Sequence, residues 1–176
     1  MTPSLIGQII GYVASFITLT IFFRKKRNDM IVLKLITDLL WMTHHILIGS
    51  YPAAATTIIA VGREIVFYIT AKNGKMNNIY PVIFALMFAS SAIITWKDAF
   101  SLLPAMASIA ATAAFWNKNP QAIRIISLIS SVFMLIYAIH YSSYPTILNE
   151  AVLEPIIIFT FILTHVRNSR AEGRRD

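Results

Sequence analysis

Seven mostly apolar runs, at 4–23, 30–48, 53–71, 79–96, 99–116, 122–140 and 146–166, occupy nearly the whole chain. Each is close to the roughly 20 residues that cross a hydrocarbon core. Lipid offers no partner to a backbone N–H or C=O, so a spanning run of this kind must form a helix. The connections are short: Gly49–Pro52 joins runs 2 and 3, Tyr141–Pro145 joins runs 6 and 7, and runs 4 and 5 meet at Lys97-Asp98. Short connections make sequential helices antiparallel neighbours. The chain is 57% hydrophobic and 13% charged, where soluble domains carry about 25% charged residues. The expected fold class is an all-α membrane protein with seven transmembrane helices.

Lys and Arg orient the runs. With the N-terminus outside, Arg24, Lys25, Lys26, Arg27, Lys34, Lys72, Lys75, Lys118, Arg124, Arg167, Arg170, Arg174 and Arg175 all fall at or near cytoplasmic ends. Lys97 alone falls outside, beside Asp98, while Arg63 lies within the third run. The expectation is N-terminus outside and C-terminus cytoplasmic. The first run lacks the basic leader of a cleaved signal peptide. Its basic cluster follows it instead, which reads as an uncleaved first helix. The net charge of +7 sits between and after apolar runs, without interleaved aromatic and basic residues. Nucleic acid is therefore not an expected partner. Cysteine is absent, which excludes disulfides and thiolate metal sites.

A second feature is an echo. Ser50-Tyr51-Pro52 recurs as Ser143-Tyr144-Pro145, an offset of 93 residues. Laying residues 9–71 over 102–164 without a gap gives identity at twelve of 63 positions. The reading is a duplication: a three-helix bundle over 1–71, a linker helix within 72–97, a second three-helix bundle over 98–166, and a basic tail over 167–176. One linker crossing makes the two repeats parallel, related by an axis along the membrane normal. In this register Gly11 matches Pro104 and Gly62 matches Pro155. Glycine weakens a helix, and proline removes a donor and clashes one turn back. All four are candidate helix breaks, and such breaks in matching places of two halves point to a transporter site.

The three-plus-one-plus-three order resembles that of the SWEET sugar transporters and the wider PQ-loop and PnuC-like group. The signature Pro-Gln pair is missing, since Ala105 follows Pro104. A closer resemblance is to the YgjV-type bacterial inner-membrane protein family. The residues that carry it are IGQIIG (6–11), HHILIGSYPAAA (44–55), Arg63 and LLP (102–104). The resemblance covers nearly the whole chain and implies a multi-pass location in the bacterial inner (plasma) membrane.

Ionisable residues inside spans are expensive and mark functional candidates. Lys34, Asp38, Trp41 and His45 follow one another at spacings of 4, 3 and 4 and share one helix face. Asp38 and Arg63 lie about a dozen residues on either side of the Ser50-Tyr51 turn, so equal helical rise puts them at one depth. An Asp38–Arg63 ion pair, or a hydrogen-bonded cluster that includes Glu64, is expected. In the seventh run Asn149, Glu150 and Glu154 bring further polar groups, with Glu150 and Glu154 on one face. The candidate substrate-binding set is Asp38, Trp41, His45, Arg63, Glu64, Asn149, Glu150 and Glu154. Adjacent His44 and His45 point about 100° apart on a helix and cannot share a metal. No cofactor or metal site is expected. No nucleophile–base constellation is visible either, so an enzyme is not expected.

These features lead to a small-solute transporter with a polar midplane site between the repeats. The alternative is a non-transporting membrane sensor, receptor or assembly partner. Expected partners are the lipid bilayer and an unknown small solute, and a homo-oligomer is possible.

Overall fold

The computed structural model describes residues 2–153 together with Pro155, Phe159 and Leu163. Among the described residues there are seven α-helices: α1 (Pro3–Phe22), α2 (Arg27–Leu47), α3 (Tyr51–Lys72), α4 (Ile79–Ile94), α5 (Leu103–Trp116), α6 (Pro120–His140) and α7 (Tyr144–Leu148). A 3-10 turn, Ala99–Leu102, precedes α5, and a π-helical segment, Asn149–Leu153, follows α7. Together with the 3-10 turn, α5 makes one of five stretches long and apolar enough to cross a membrane; the others are α1, α2, α3 and α6. Helix α4 is apolar but shorter, at 16 residues.

Proline starts many of these helices. Pro3, Pro52, Pro104, Pro120 and Pro145 all sit in first turns, where the missing N–H would have no helical partner anyway. Pro104 therefore does not interrupt a long fifth helix. The run expected as one helix over 99–116 is a 3-10 turn capped by Asp98, whose side chain accepts from the Ser101 N–H, and then α5. Helices α1 and α3 run unbroken through Gly11 and Gly62. A π-helical segment, Asn149–Leu153, lies just before Pro155.

The packing inverts the soluble pattern. Arg63, Glu64, His44 and Asn149 are each 1% exposed or less, while Phe16, Leu86 and Ile93 are 62%, 64% and 74% exposed. Polar groups sit between helices and large apolar groups face outward, as lipid solvation requires. Helix α1 packs on α2, α2 on α3, α5 on α6, and α6 on α7; α1 also meets α7, and α3 meets α5. Helix α4 lies against α3 and α5. Phe84 of α4 stands edge-on to Phe67 of α3 at 5.9 Å, and Trp116 of α5 meets Phe67 at 4.8 Å. That aromatic core holds α4 outside the space the other six helices enclose.

A polar cavity between helices and its cross-chain links

The six helices other than α4, together with the π-helical segment, surround a cavity of about 120 Å³. Helix α2 contributes Lys34, Asp38, Trp41 and His45, the face expected from their spacing. Helix α3 adds Thr56, Thr57 and Arg63. The π-helical segment adds Asn149 and Glu150, and α6 adds Ser127, Ser130, Ser131 and Met134. Glu64 is buried beside the cavity and bonds to Arg63. Glu154 lies outside the described residues.

The expected Asp38–Arg63 pair does not form, while Arg63 does bond Glu64, the residue expected to join them. Asp38 Oδ1 pairs with Lys34, one turn earlier on the same helix. Arg63 donates from Nη2 to Glu64 Oε1 at 2.6 Å, and from Nη1 to Thr112 Oγ1 at 2.8 Å and to the Ser108 carbonyl at 3.0 Å. Its guanidinium also lies 5.4 Å from the Phe88 ring centroid. Equal depth placed Asp38 and Arg63 around one space, but each found a nearer counter-ion. The guanidinium fork can serve several acceptors at once, so Arg63 ties α3 to α5 as well as to Glu64.

Several buried polar atoms here have no hydrogen-bond partner among the described residues: Asp38 Oδ2, Asn149 Oδ1, His45 Nδ1, Arg63 Nε and Glu64 Oε2. Asn149 donates from its amide nitrogen to Glu150 Oε1 at 3.2 Å, which leaves its carbonyl oxygen free to accept. Trp41 donates from its indole N–H to Thr18 Oγ1 at 3.1 Å and stacks on the His45 ring with centroids 5.9 Å apart.

Both ends of the cavity are bridged by contacts that sequence spacing did not reveal. At one end His44 Nδ1 lies 2.8 Å from the Gly7 carbonyl, and its Nε2 lies 2.8 Å from Ser143 Oγ. A carbonyl only accepts, so Nδ1 carries the proton and a neutral ring accepts from Ser143 at Nε2. At the same end Ser50 Oγ meets the Tyr137 hydroxyl at 2.8 Å. Ser50 and Ser143 occupy N-cap positions but make no cap bond with their side chains; their hydroxyls point across the bundle instead. Gly11 allows this approach, because a Cβ there would lie 2.7 Å from His44 Nδ1 and 2.8 Å from Pro145 Cγ. Gly62, by contrast, meets no atom of the described residues within 4 Å of such a Cβ.

At the other end two arginines serve carbonyls at the ends of α1 and α5. Arg27 donates from Nε to the Phe115 carbonyl at 2.9 Å. Arg124 donates to the Phe22 carbonyl at 3.1 and 2.7 Å and to the Arg24 carbonyl at 3.0 Å. A helix end leaves carbonyls without helical partners, and a cation there also suits the helix dipole. The sequence signal was present, as basic residues next to helix ends, but it read only as orientation.

Helices with an apolar exterior and a buried, partly unsatisfied polar cavity define a polytopic helical membrane protein. The chain matches the Imp-YgjV family, described as a bacterial inner membrane protein, over residues 5–171, and it belongs to that family. It is thus a multi-pass protein of the bacterial inner membrane. No curated protein and no solved structure matches it significantly.

Proposed function

We propose that this protein is a small-solute carrier in which two parallel three-helix repeats, joined by α4, enclose the substrate site. The N-terminus is outside and the C-terminus cytoplasmic, as the Lys and Arg distribution requires. The observation that carries the reading is the cavity itself. It lies between α1–α3 and α5–α7, and it contains buried polar atoms with no partner among the described residues. A purely structural bundle gains nothing by leaving such atoms unpaired, because each costs about 1–3 kcal/mol.

The 93-residue register supports the two-repeat arrangement. Seven pairs of cavity residues are related by it: Thr18 and Ala111, Phe22 and Phe115, Lys34 and Ser127, Asp38 and Ser131, Trp41 and Met134, Thr56 and Asn149, Thr57 and Glu150. The contacts at one end follow the same rule. His44 bonds Ser143, and the equivalent Tyr137 bonds the equivalent Ser50. Gly49 and Ser142 are also equivalent, and both turns need a left-handed residue there, with φ of 74° and 52°. At the other end the carbonyls of equivalent Phe22 and Phe115 each accept from an arginine of the opposite half.

Rocking two halves about a midplane site needs links at each end that open singly. A neutral hydrogen bond contributes about 0.5–1.5 kcal/mol net, and a charged one about 1.5–3. Two such links at one end are within reach of the binding energy of a small solute. The test uses the natural absence of cysteine. Thr57→Cys and Ser131→Cys place single thiols in the cavity. Impermeant thiol reagents should label each from both sides of oriented vesicles. Labelling from one side only, or from neither, would overturn the carrier reading in favour of a sensor or receptor.

A further inference from the structure

The end of the bundle where α1 and α5 finish holds a second recess, of about 350 Å³. It is lined by Arg27 and Asn28 at the start of α2, Ala71 near the end of α3, Gly74 and Met76 in the link to α4, and Lys118 just after α5. Arg27 is only 8% exposed. Of its five N–H donors, the one on Nε is in a hydrogen bond among the described residues, to the Phe115 carbonyl at 2.9 Å. Its Nη2 is buried without a partner there. The carboxylate whose charge reaches Arg27 is Glu64, and that carboxylate already bonds Arg63 at 2.6 Å. A buried cation with open donors is costly until an anion meets it.

The backbone beside Arg27 points the same way. The first helical bond of α2 runs from the Met30 N–H to the Lys26 carbonyl, so the N–H groups of Arg27, Asn28 and Asp29 have no acceptor within the helix. Lys26 stands at the N-cap position and its side chain makes no cap bond. An uncapped helix start offers an anion both N–H donors and the positive end of the helix dipole. Asp29 is the acid of this first turn; it is exposed and does not line the recess. Lys118, also exposed, brings a second cation from the later half of the sequence.

We infer that this recess binds a phosphate group, held between the Arg27 guanidinium, the Lys118 ammonium and the open N-terminus of α2. The guanidinium fork matches two phosphate oxygens, and an ammonium adds a point charge. A phosphate has five heavy atoms, which fill about 150 Å³ at about 30 Å³ for each water-sized group. The recess therefore admits it with room for an ester substituent. A phosphate held there touches α2 and the link after α5 together, beside the Arg27–Phe115 bond, so occupancy fastens this end of the bundle. The site is apart from the central cavity and stands whether or not that cavity carries a solute.

The phosphate has two possible sources, an anionic lipid headgroup and a soluble phosphate compound. The test is thermal unfolding of the full chain in maltoside micelles, which contain no phosphate. The probes are phosphatidylglycerol, with oleate as an anionic lipid lacking phosphate, and inorganic phosphate, with acetate at matched ionic strength. Phosphatidylglycerol, inorganic phosphate or both should raise Tm. A rise with the lipid alone assigns the headgroup, and a rise with inorganic phosphate assigns a soluble source. Lys118→Gln and Arg27→Lys should each cut the rise by half or more. Lys25→Gln, the same charge change at a lysine that does not line the recess, should leave it intact. If Arg27→Lys does not fold, Lys118→Gln alone reads the loss. No rise with either phosphate probe would overturn the inference. So would an equal rise with oleate or acetate, a rise unaltered in both recess variants, or an equal loss in Lys25→Gln.

Discussion

His44 Nε2 lies 2.8 Å from Ser143 Oγ, and 93 residues further along the chain the counterpart of His44, Tyr137, meets Ser50 at the same 2.8 Å. Each second helix thus bonds the turn of the opposite half. A double-mutant cycle on His44→Phe and Ser143→Ala should give a coupling of about 0.6 kcal/mol and no more than about 1.7, the range of interhelical hydrogen bonds in membranes. Reversible unfolding in mixed micelles measures it. A coupling indistinguishable from zero would remove the bond from the account of this end.

Glycine at 11 and glycine at 62 predict opposite outcomes. Gly11→Ala puts a methyl 2.7 Å from His44 Nδ1 and 2.8 Å from Pro145 Cγ, so it should destabilise by about 1–3 kcal/mol through overpacking. Gly62→Ala meets nothing within 4 Å among the described residues and should be neutral or stabilise by up to about 1 kcal/mol from helix propensity. Thermal unfolding of the two variants side by side reads the contrast.

The buried Arg63–Glu64 pair should show the asymmetry of buried ions. Glu64→Leu alone leaves Arg63 with Thr112 and Ser108 but no counter-charge, and a loss of about 3–5 kcal/mol is expected. The double change Arg63→Met with Glu64→Leu removes both charges and should recover most of that loss. Recovery of nothing would mean that the bonds from Arg63 to α5, rather than charge balance, hold this region.

Arg124→Gln should weaken the end of the bundle where α1 and α5 finish. Three donor contacts to the Phe22 and Arg24 carbonyls are at stake, and charged hydrogen bonds contribute about 1.5–3 kcal/mol. Amide hydrogen exchange should rise in the last turn of α1 and in the following Phe23–Lys26 link. It should stay unchanged at Ser50 and Ser143, at the far end. A uniform rise through the protein would count against a local role.

Some of the cavity was legible from spacing and some was not. Lys34, Asp38, Trp41 and His45 fall on one face because 4, 3 and 4 are helical intervals, and Arg63 reaches their depth because an antiparallel hairpin has equal rise on both arms. Which of these groups bond to one another was not legible. Asp38 is within reach of its own helix neighbour Lys34, and Arg63 of adjacent Glu64 and of Thr112 on α5; a few ångströms of helix separation decide among them. The sequence named no partner for His44, and it is His44 that crosses the bundle, because Gly11 lets α1 and α7 come close to its ring. The arginines at 27 and 124 read as markers of orientation, since the carbonyls they serve lie 88 and 102 residues away in the chain.

The sequence by itself determined what is local and periodic: long apolar runs, proline at helix starts, charged residues at helix ends and a helical polar face. These follow from the cost of bare backbone in lipid and from 3.6 residues per turn, and neither depends on neighbours. Tertiary structure decided the rest. It turned proposed breaks at Gly11 and Gly62 into unbroken helix, moved Pro104 to a helix start, chose Lys34 over Arg63 for Asp38, and left Asp38 Oδ2 and Asn149 Oδ1 in a shared cavity without partners among the described residues. Those outcomes depend on distances between helices, and a hydrogen bond is made or lost within a fraction of an ångström that no pattern along one chain records.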